Sequence, residues 1–325
     1  MSLKDNGYLA SPRAPYKLPT SVAGALPRRL ARGYIVAMSD PPRDGQIIGK
    51  TEHALLVAHI GSFIVPIYLA EESAITAKGT GTLLDGGDRL YLVTASHVLD
   101  GCVASKLSSP GGRTLAPPVP WRDVRVVKAP EASKLPDVAI VEFLSPETIA
   151  ALRRTYSSLT LDRVATATPG SAFILAGFPE EKAKITGKVV DHDPFVYFTT
   201  MMPEPPKDAA DPNPTFDLFF ALGRRGTGSD GQRIDVPNLR GASGCAIWEI
   251  GAGGKLWTPG TALRAVGVLR SAKPGAWFRA TNWLAGIFVL ATFDSQAAHA
   301  LAVRLIGEEQ AAVVFRGWGY DIPAA

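Results

Sequence analysis

Three side chains suited to acyl transfer stand in short, well-defined runs of this 325-residue chain. His97 closes the run Tyr91-Leu-Val-Thr-Ala-Ser-His97 and is followed by Val98. Asp137 stands before Val-Ala-Ile-Val-Glu142, and Ser243 lies in Leu239-Arg240-Gly241-Ala242-Ser243-Gly244. A serine hydroxyl is a poor nucleophile at neutral pH and needs a base within hydrogen-bond reach. Imidazole titrates in the range that job requires. A carboxylate behind the imidazole fixes its tautomer and stabilises the imidazolium. The chain order His, Asp, Ser is one of three unrelated orders in which this arrangement is built.

Taken singly, each run has a plainer reading. His97 would serve as a turn histidine at a strand end. Asp137 would serve as a turn aspartate before an apolar strand. Gly241-Ala-Ser-Gly244 alone reads as a tight turn, with glycines supplying positive φ. Together they are far more specific. A carboxylate entering an apolar strand is costly to bury without a partner, and His97 is the natural one. The 40 residues between His97 and Asp137 leave room for intervening strands of one barrel. His53, His59, His192 and His299 have no such context. His192, flanked by two Asp residues, reads as structural, with its pKa raised by those neighbours.

The three runs together resemble the trypsin/chymotrypsin family of serine peptidases, especially its compact bacterial members. The family pattern at the histidine is an apolar strand and then Thr-Ala-Ala-His; here Ser96 replaces the second Ala. The resemblance covers about residues 54–310. It implies an all-β, chymotrypsin-like double six-stranded β-barrel with a connecting helix and a C-terminal helix. It also implies Ser243 as nucleophile, His97 as general base and then acid, and Asp137 as the orienting carboxylate. The backbone N–H groups of Gly241 and Ser243 would form the oxyanion hole. The expected activity is endopeptidase hydrolysis through an acyl-enzyme, on a protein or peptide substrate, with no metal and no cofactor.

Two departures matter. Trypsin proper has Asp immediately before the nucleophile, where it binds the new N-terminus after zymogen cleavage. Ala242 has no charge for that role, so activation by N-terminal insertion is not expected. The position that floors the substrate pocket falls on Pro237, which is not the Asp that selects Lys or Arg. The run Leu269-Arg270-Ser271 should line the other side of the pocket. Arg270 offers a reading as a selector of acidic side chains, but a solvated, outward-facing arginine is the expectation, as is usual for Arg.

Composition sets the limits. The chain is 46% hydrophobic and 20% charged, which is ordinary globular composition. With 32 Gly and 26 Pro it favours a loop- and strand-rich fold over a helical bundle. A net charge of +4 is no nucleic-acid footprint, and no stretch reaches the ~20 apolar residues of a membrane helix. No secretory leader is recognisable at the N-terminus. Two cysteines, Cys102 and Cys245, point to a reducing compartment, hence a cytoplasmic protein. Each reads as a small buried hydrophobe rather than a redox device.

Residues 1–50 hold eight Lys/Arg against three Asp/Glu, with six prolines, and read as a basic N-terminal arm. It reads as a poorly ordered arm or a strap lying over the domain; the alternatives are a pro-segment or a docking arm for an activating or regulatory protein. Residues 51–325 form the expected domain, with a first barrel over about 51–144, a second over about 160–293 and a C-terminal helix over about 295–310. Strand signals are placed at 55–69, 79–84, 89–94, 124–127 and 138–143. Further ones fall at 172–176, 195–200, 216–220, 245–248, 265–269 and 285–290. Asp85-Gly-Gly-Asp88 should turn a hairpin. Ser145-Pro146-Glu147 should start a helix, with Ser as cap and Pro at the first position. Asp294-Ser295 should cap the last helix, whose apolar stripe is Ala298, Leu301, Ala302, Leu305 and Ile306.

Two rivals remain. An α/β-hydrolase uses Gly-x-Ser-x-Gly and the order Ser, Asp, His; the fifth motif position here is Cys245, and alternating helices are missing. A trypsin-like barrel that has lost activity, or awaits a partner, would serve as a binding module and carry much the same sequence. A cytoplasmic peptidase must spare its host, so narrow specificity or gating is expected.

Overall fold

The computed structural model describes residues 35–38, 50–71, 74–111, 118–129, 136–186, 189–192, 194–227, 233–251 and 258–320. The basic arm therefore lies outside the described residues, apart from Ile35–Met38 and Lys50.

Two large sheets, antiparallel at most of their pairings, dominate. Across the first, the order is Pro118–Pro120, Leu107–Pro110, Ile64–Ala70, Ile75–Asp85, Leu90–Thr94, Ala139–Phe143 and Val124–Lys128. Leu159–Thr160 adds a short parallel edge to Ile75–Asp85. Across the second, the order is Ile35–Met38, Phe195–Thr200, Ala172–Gly177, Ala246–Ile250, Leu263–Lys273, Trp277–Asn282 and Asp217–Ala221. Short flanking strands carry both sheets past six. Ile35–Met38 pairs parallel with Phe195–Thr200, so part of the span read as an arm is a strand of the second sheet. Two small hairpins, Ala183–Thr186 with Val189–His192 and Arg225–Thr227 with Arg233–Asp235, project from the second half.

Side-chain alternation explains the layering. In Leu90–Thr94 every residue is buried. Leu90 and Leu92 join Leu83, Val141 and Phe143 inside the first barrel. Tyr91 and Val93 point the other way, into a layer shared with Ile174, Ala176, Trp248 and the C-terminal helices. The second sheet does the same: Phe173 and Leu175 fill its own interior with Phe220, Val266 and Phe278, while Ile174 and Ala176 face the shared layer. Strands buried on both faces read as continuous apolar runs. Each fully buried Leu, Val or Phe contributes about 1.5–3 kcal/mol. The shared layer thus welds the two barrels and fixes the cleft between them.

Several expected elements are present. The Ile75–Asp85 and Leu90–Thr94 strands pair through Asp85↔Leu90, and the turn is closed by the Gly87 N–H on Asp85 Oδ1 at 2.9 Å. Pro146–Thr155 is helical, and the Ser145 hydroxyl accepts from the Thr148 N–H at 3.3 Å. Asp294 caps Ser295–Ile306 through the Ala297 N–H at 2.9 Å. Gly307, at φ 83°, then turns the chain into a further helix, Glu308–Gly317, that the expected C-terminal helix did not include.

The first part of one expected strand, 55–69, and the whole of another, 285–290, are helical. Residues 50–61 coil as Lys50–Gly61 before the strand Ile64–Ala70 begins. Leu56, Val57 and Ile60 lie on one helical face and enter the shared layer. Trp283–Ala291 is also a helix, capped by Asn282 accepting from the Leu284 N–H. Seven of its nine residues are buried, so no polar face marks its period. A short apolar run buried all round has the same signature as a core strand.

Candidate active site

The histidine is held by the end of a strand. After Leu90–Thr94 the chain enters a single 3-10 turn, Ser96–Leu99, whose Val98 and Leu99 are buried anchors. That leaves the His97 side chain 45% exposed at the cleft. Asp137 sits just before the Ala139–Phe143 strand, which pairs beside Leu90–Thr94. Its carboxylate takes two bonds from one residue: Oδ1 accepts from the His97 backbone N–H at 2.9 Å, and Oδ2 meets His97 Nδ1 at 2.5 Å. An ionised carboxylate only accepts, so Nδ1 carries the proton and Nε2 keeps its lone pair. The hydrogen bond donated to Asp137 raises the His97 pKa above 6.5, against the opposing effect of burial. Burial acts to raise the Asp137 carboxyl, but the His97 bonds and the Arg270 charge outweigh it and hold the group below its usual range.

Ser243 lies in the turn that leads into Ala246–Ile250, and this turn is locked from the first sheet. Thr80 is fully buried. Its hydroxyl donates to the Gly241 carbonyl at 2.8 Å and accepts from the Phe178 N–H at 3.1 Å. Its backbone N–H donates to the Ser243 carbonyl at 2.8 Å. Gly241 and Gly244 adopt φ of 88° and 90°. A Cβ on Gly244 would come within 2.1 Å of both the Thr80 carbonyl oxygen and Thr94 Oγ1. Gly79 forms the floor between the two chain segments: a Cβ there would strike Val98, next to His97, at 2.5 Å and the Ser243 carbonyl at 3.0 Å.

The turn sorts its N–H groups. Ala242 donates to the Leu239 carbonyl at 2.9 Å, Gly244 to the Leu269 carbonyl at 2.8 Å and Cys245 to the Ala242 carbonyl at 3.1 Å. Among the described residues, the N–H groups of Gly241 and Ser243 have no protein acceptor. Two such donors on one turn suit an anion or a polarised carbonyl oxygen. The Ser243 hydroxyl, half-buried, makes no hydrogen bond with His97 among the described residues.

The family model of the trypsin-like peptidase domain matches residues 79–253, which contain Thr80, His97, Asp137, Gly241 and Ser243. The chain belongs to the trypsin-like peptidase family. Its serine-protease-like function and protein or peptide substrates follow at that level. No curated protein matches the chain. One solved chain, from a study titled "Aromatic interactions drive the coupled folding and binding of the intrinsically disordered Sesbania mosaic virus VPg protein", aligns at 15% identity. The alignment covers 72% of this chain and 96% of that one, with a TM-score of 0.38. Among the described residues of this trypsin-like domain, no helix is long and apolar enough to cross a membrane.

The other residues singled out from the sequence fall differently. Ala242 is buried against Gly177, in the apolar interior of the second barrel. Pro237 and Leu269 are buried, and Ser271 is exposed. Arg270 is not the solvated side chain expected of it: it is 32% exposed and faces Asp137 and Asp217. Cys245 is fully buried, and burial pushes its thiol pKa up. Cys102 is partly exposed, and both cysteines are free thiols. His192 bridges Tyr68, at 2.7 Å from its hydroxyl, and the Pro179 carbonyl, at 2.8 Å. Thr80 escaped the sequence reading; the one local signal for it is its place between glycines in Gly79-Thr-Gly81.

Proposed function

We propose that this trypsin-like domain is a serine endopeptidase in which Ser243, His97 and Asp137 act as the catalytic triad. The observation that carries the reading is the pair of hydrogen bonds that the Asp137 carboxylate accepts from His97, which leaves Nε2 as the free base. In the proposed cycle, Ser243 Oγ attacks the scissile carbonyl carbon and its proton passes to His97 Nε2. The carbonyl oxygen, now negative, takes the N–H groups of Gly241 and Ser243. The C–N bond then breaks, His97 returns the proton to the leaving amine, and the acyl group stays on Ser243. Water, deprotonated by His97, releases the acid and restores the serine. Ala242 carries no charge, so this cycle starts without a trypsin-type N-terminal insertion.

Gating or narrow specificity completes the proposal. The Ser243 hydroxyl makes no hydrogen bond with His97 among the described residues, and such bonds often tighten only when substrate is bound. The same observation favours the second reading, a silent or partner-activated scaffold. A fluorophosphonate probe separates them. Labelling of the wild type that is lost in both Ser243→Ala and His97→Ala supports the enzyme; an unlabelled, well-folded wild type supports the scaffold. Digestion of unfolded casein by the protein alone would remove the gating part.

A further inference from the structure

The Leu263–Lys273 strand is irregular beside the nucleophile turn. Leu269 pairs with Ala280 and Ser271 with Arg279, so Arg270 is the extra residue of a bulge. Bulges next to active sites re-aim a side chain. This one turns Arg270 into the space between the two sheets. Its Nε lies 4.0 Å from Asp137 Oδ2, and one terminal nitrogen lies 3.6 Å from Asp217 Oδ1.

Asp217 is the unusual partner. Its side chain is 1% exposed. Oδ2 is taken by Arg279 and by the Asn213 N–H. Oδ1 is buried and has no hydrogen-bond partner; the Arg270 guanidinium is the cation it faces. Arg279 in turn donates to the carbonyls of Ala210 and Asp211 at 2.9 and 2.8 Å. Charges of alternating sign therefore run from Asp137 through Arg270, Asp217 and Arg279 to the segment 203–214.

We propose that Arg270 acts on the triad through Asp137: it ties the Asp137 carboxylate of the first sheet to the buried Asp217 of the second and offsets part of the negative charge that Asp137 presents to His97. The proposal rests on the triad reading. Without Arg270, Asp217 Oδ1 loses the cation it faces and the carboxylate keeps only its Arg279 partner on Oδ2. The groups acting on the His97 charge are Asp137, Asp100 and Arg270, with Asp100 itself bound to Lys128 at 2.7 Å. Arg270 is the cation among the three, so its loss favours the imidazolium.

The test uses the full chain carrying Arg270→Gln or Arg270→Lys. The His97 ring is titrated by NMR, and kcat and KM are followed against pH. In Arg270→Gln, His97 should titrate at higher pH than in the wild type. The acid limb of the rate profile should move the same way, and kcat should fall about tenfold with KM nearly unchanged. Arg270→Lys, which keeps the charge, should restore the titration. If Arg270→Gln fails to fold, Arg270→Met, which keeps the apolar stem without the charge, should show the same upward shift. An unchanged His97 titration, or a loss confined to KM, overturns the proposal and makes Arg270 a substrate contact. Probe labelling of wild-type Ser243 tests the triad separately, because the ring titration needs no turnover.

Discussion

The hydroxyl of Thr80 donates to the carbonyl of Gly241 at 2.8 Å, across 161 residues of chain. The bond joins the longest strand of the first sheet to the turn that carries Ser243. Because the Thr80 backbone N–H also holds the Ser243 carbonyl, the Gly241–Ala242 and Ser243–Gly244 peptide units are both fixed from one residue. The Ala242–Ser243 peptide, which carries the Ser243 N–H, lies between these two anchored units.

Thr80→Val keeps the shape and removes the hydroxyl. It leaves the Gly241 carbonyl and the Phe178 N–H unpaired in a buried place, at a cost of about 1–3 kcal/mol. Urea melts should show that loss. Probe labelling of Ser243 should slow more than the melt alone predicts, roughly by the factor for one oxyanion donor, about 10²-fold. Labelling at the wild-type rate would show that the clamp is structural only.

Activity should depend on pH through His97. The base must be neutral, and the Asp137 bond raises its pKa above 6.5. The rate should therefore fall as pH drops through a midpoint above the ordinary imidazole value. Asp137→Asn removes the stabilising charge, so kcat should drop by about 10⁴-fold and the acid limb should move down. Stability gives a second check. The raised His97 contributes fully below 6.5 and loses its contribution as pH rises through its folded value. The depressed Asp137 contributes above 3.8 and loses its contribution as pH falls through its folded value. The Tm difference between wild type and Asp137→Asn should thus be largest between these two limits, as read by calorimetry across pH.

Gly244→Ala should be among the most damaging single-methyl changes in the chain. The residue is at φ 90°, and the new Cβ would overlap the Thr80 carbonyl oxygen and the Thr94 hydroxyl at 2.1 Å. Strain and overpacking together cost about 3 kcal/mol. Gly87→Ala, at a positive φ with open space around it, should lose about 1 kcal/mol only. Paired denaturation curves read the difference.

Cys245 should resist alkylation in the native protein. It is fully buried and its thiol is pushed far from ionisation, while the thiolate is the reactive form. Mass spectrometry after maleimide treatment should find Cys245 modified only once denaturant unfolds the second barrel. Native modification at Cys245 would mean that this core opens readily.

The residues of the proposed triad stand out in the sequence because each sits in a local pattern. The apolar strand before His97, the carboxylate before Val138 and the glycines around Ser243 each carry a recognisable signal over a few residues. So do the Asp85-Gly-Gly-Asp88 turn and the Ser145 cap, where side chain and backbone meet within three positions. Tertiary structure decided the rest. Residues 50–61 and 283–291 are helices that the layer between the barrels holds, the first through Leu56, Val57 and Ile60 and the second through most of its length, and a short apolar run like the second carries no period to read. Arg270 reads as an ordinary surface arginine until a bulge turns it toward Asp137 and Asp217. Thr80 gains its role only when a turn 161 residues away folds onto it. Local sequence specifies which groups can react and how each short segment bends; contacts across such separations exist only once both sheets have closed on their shared core.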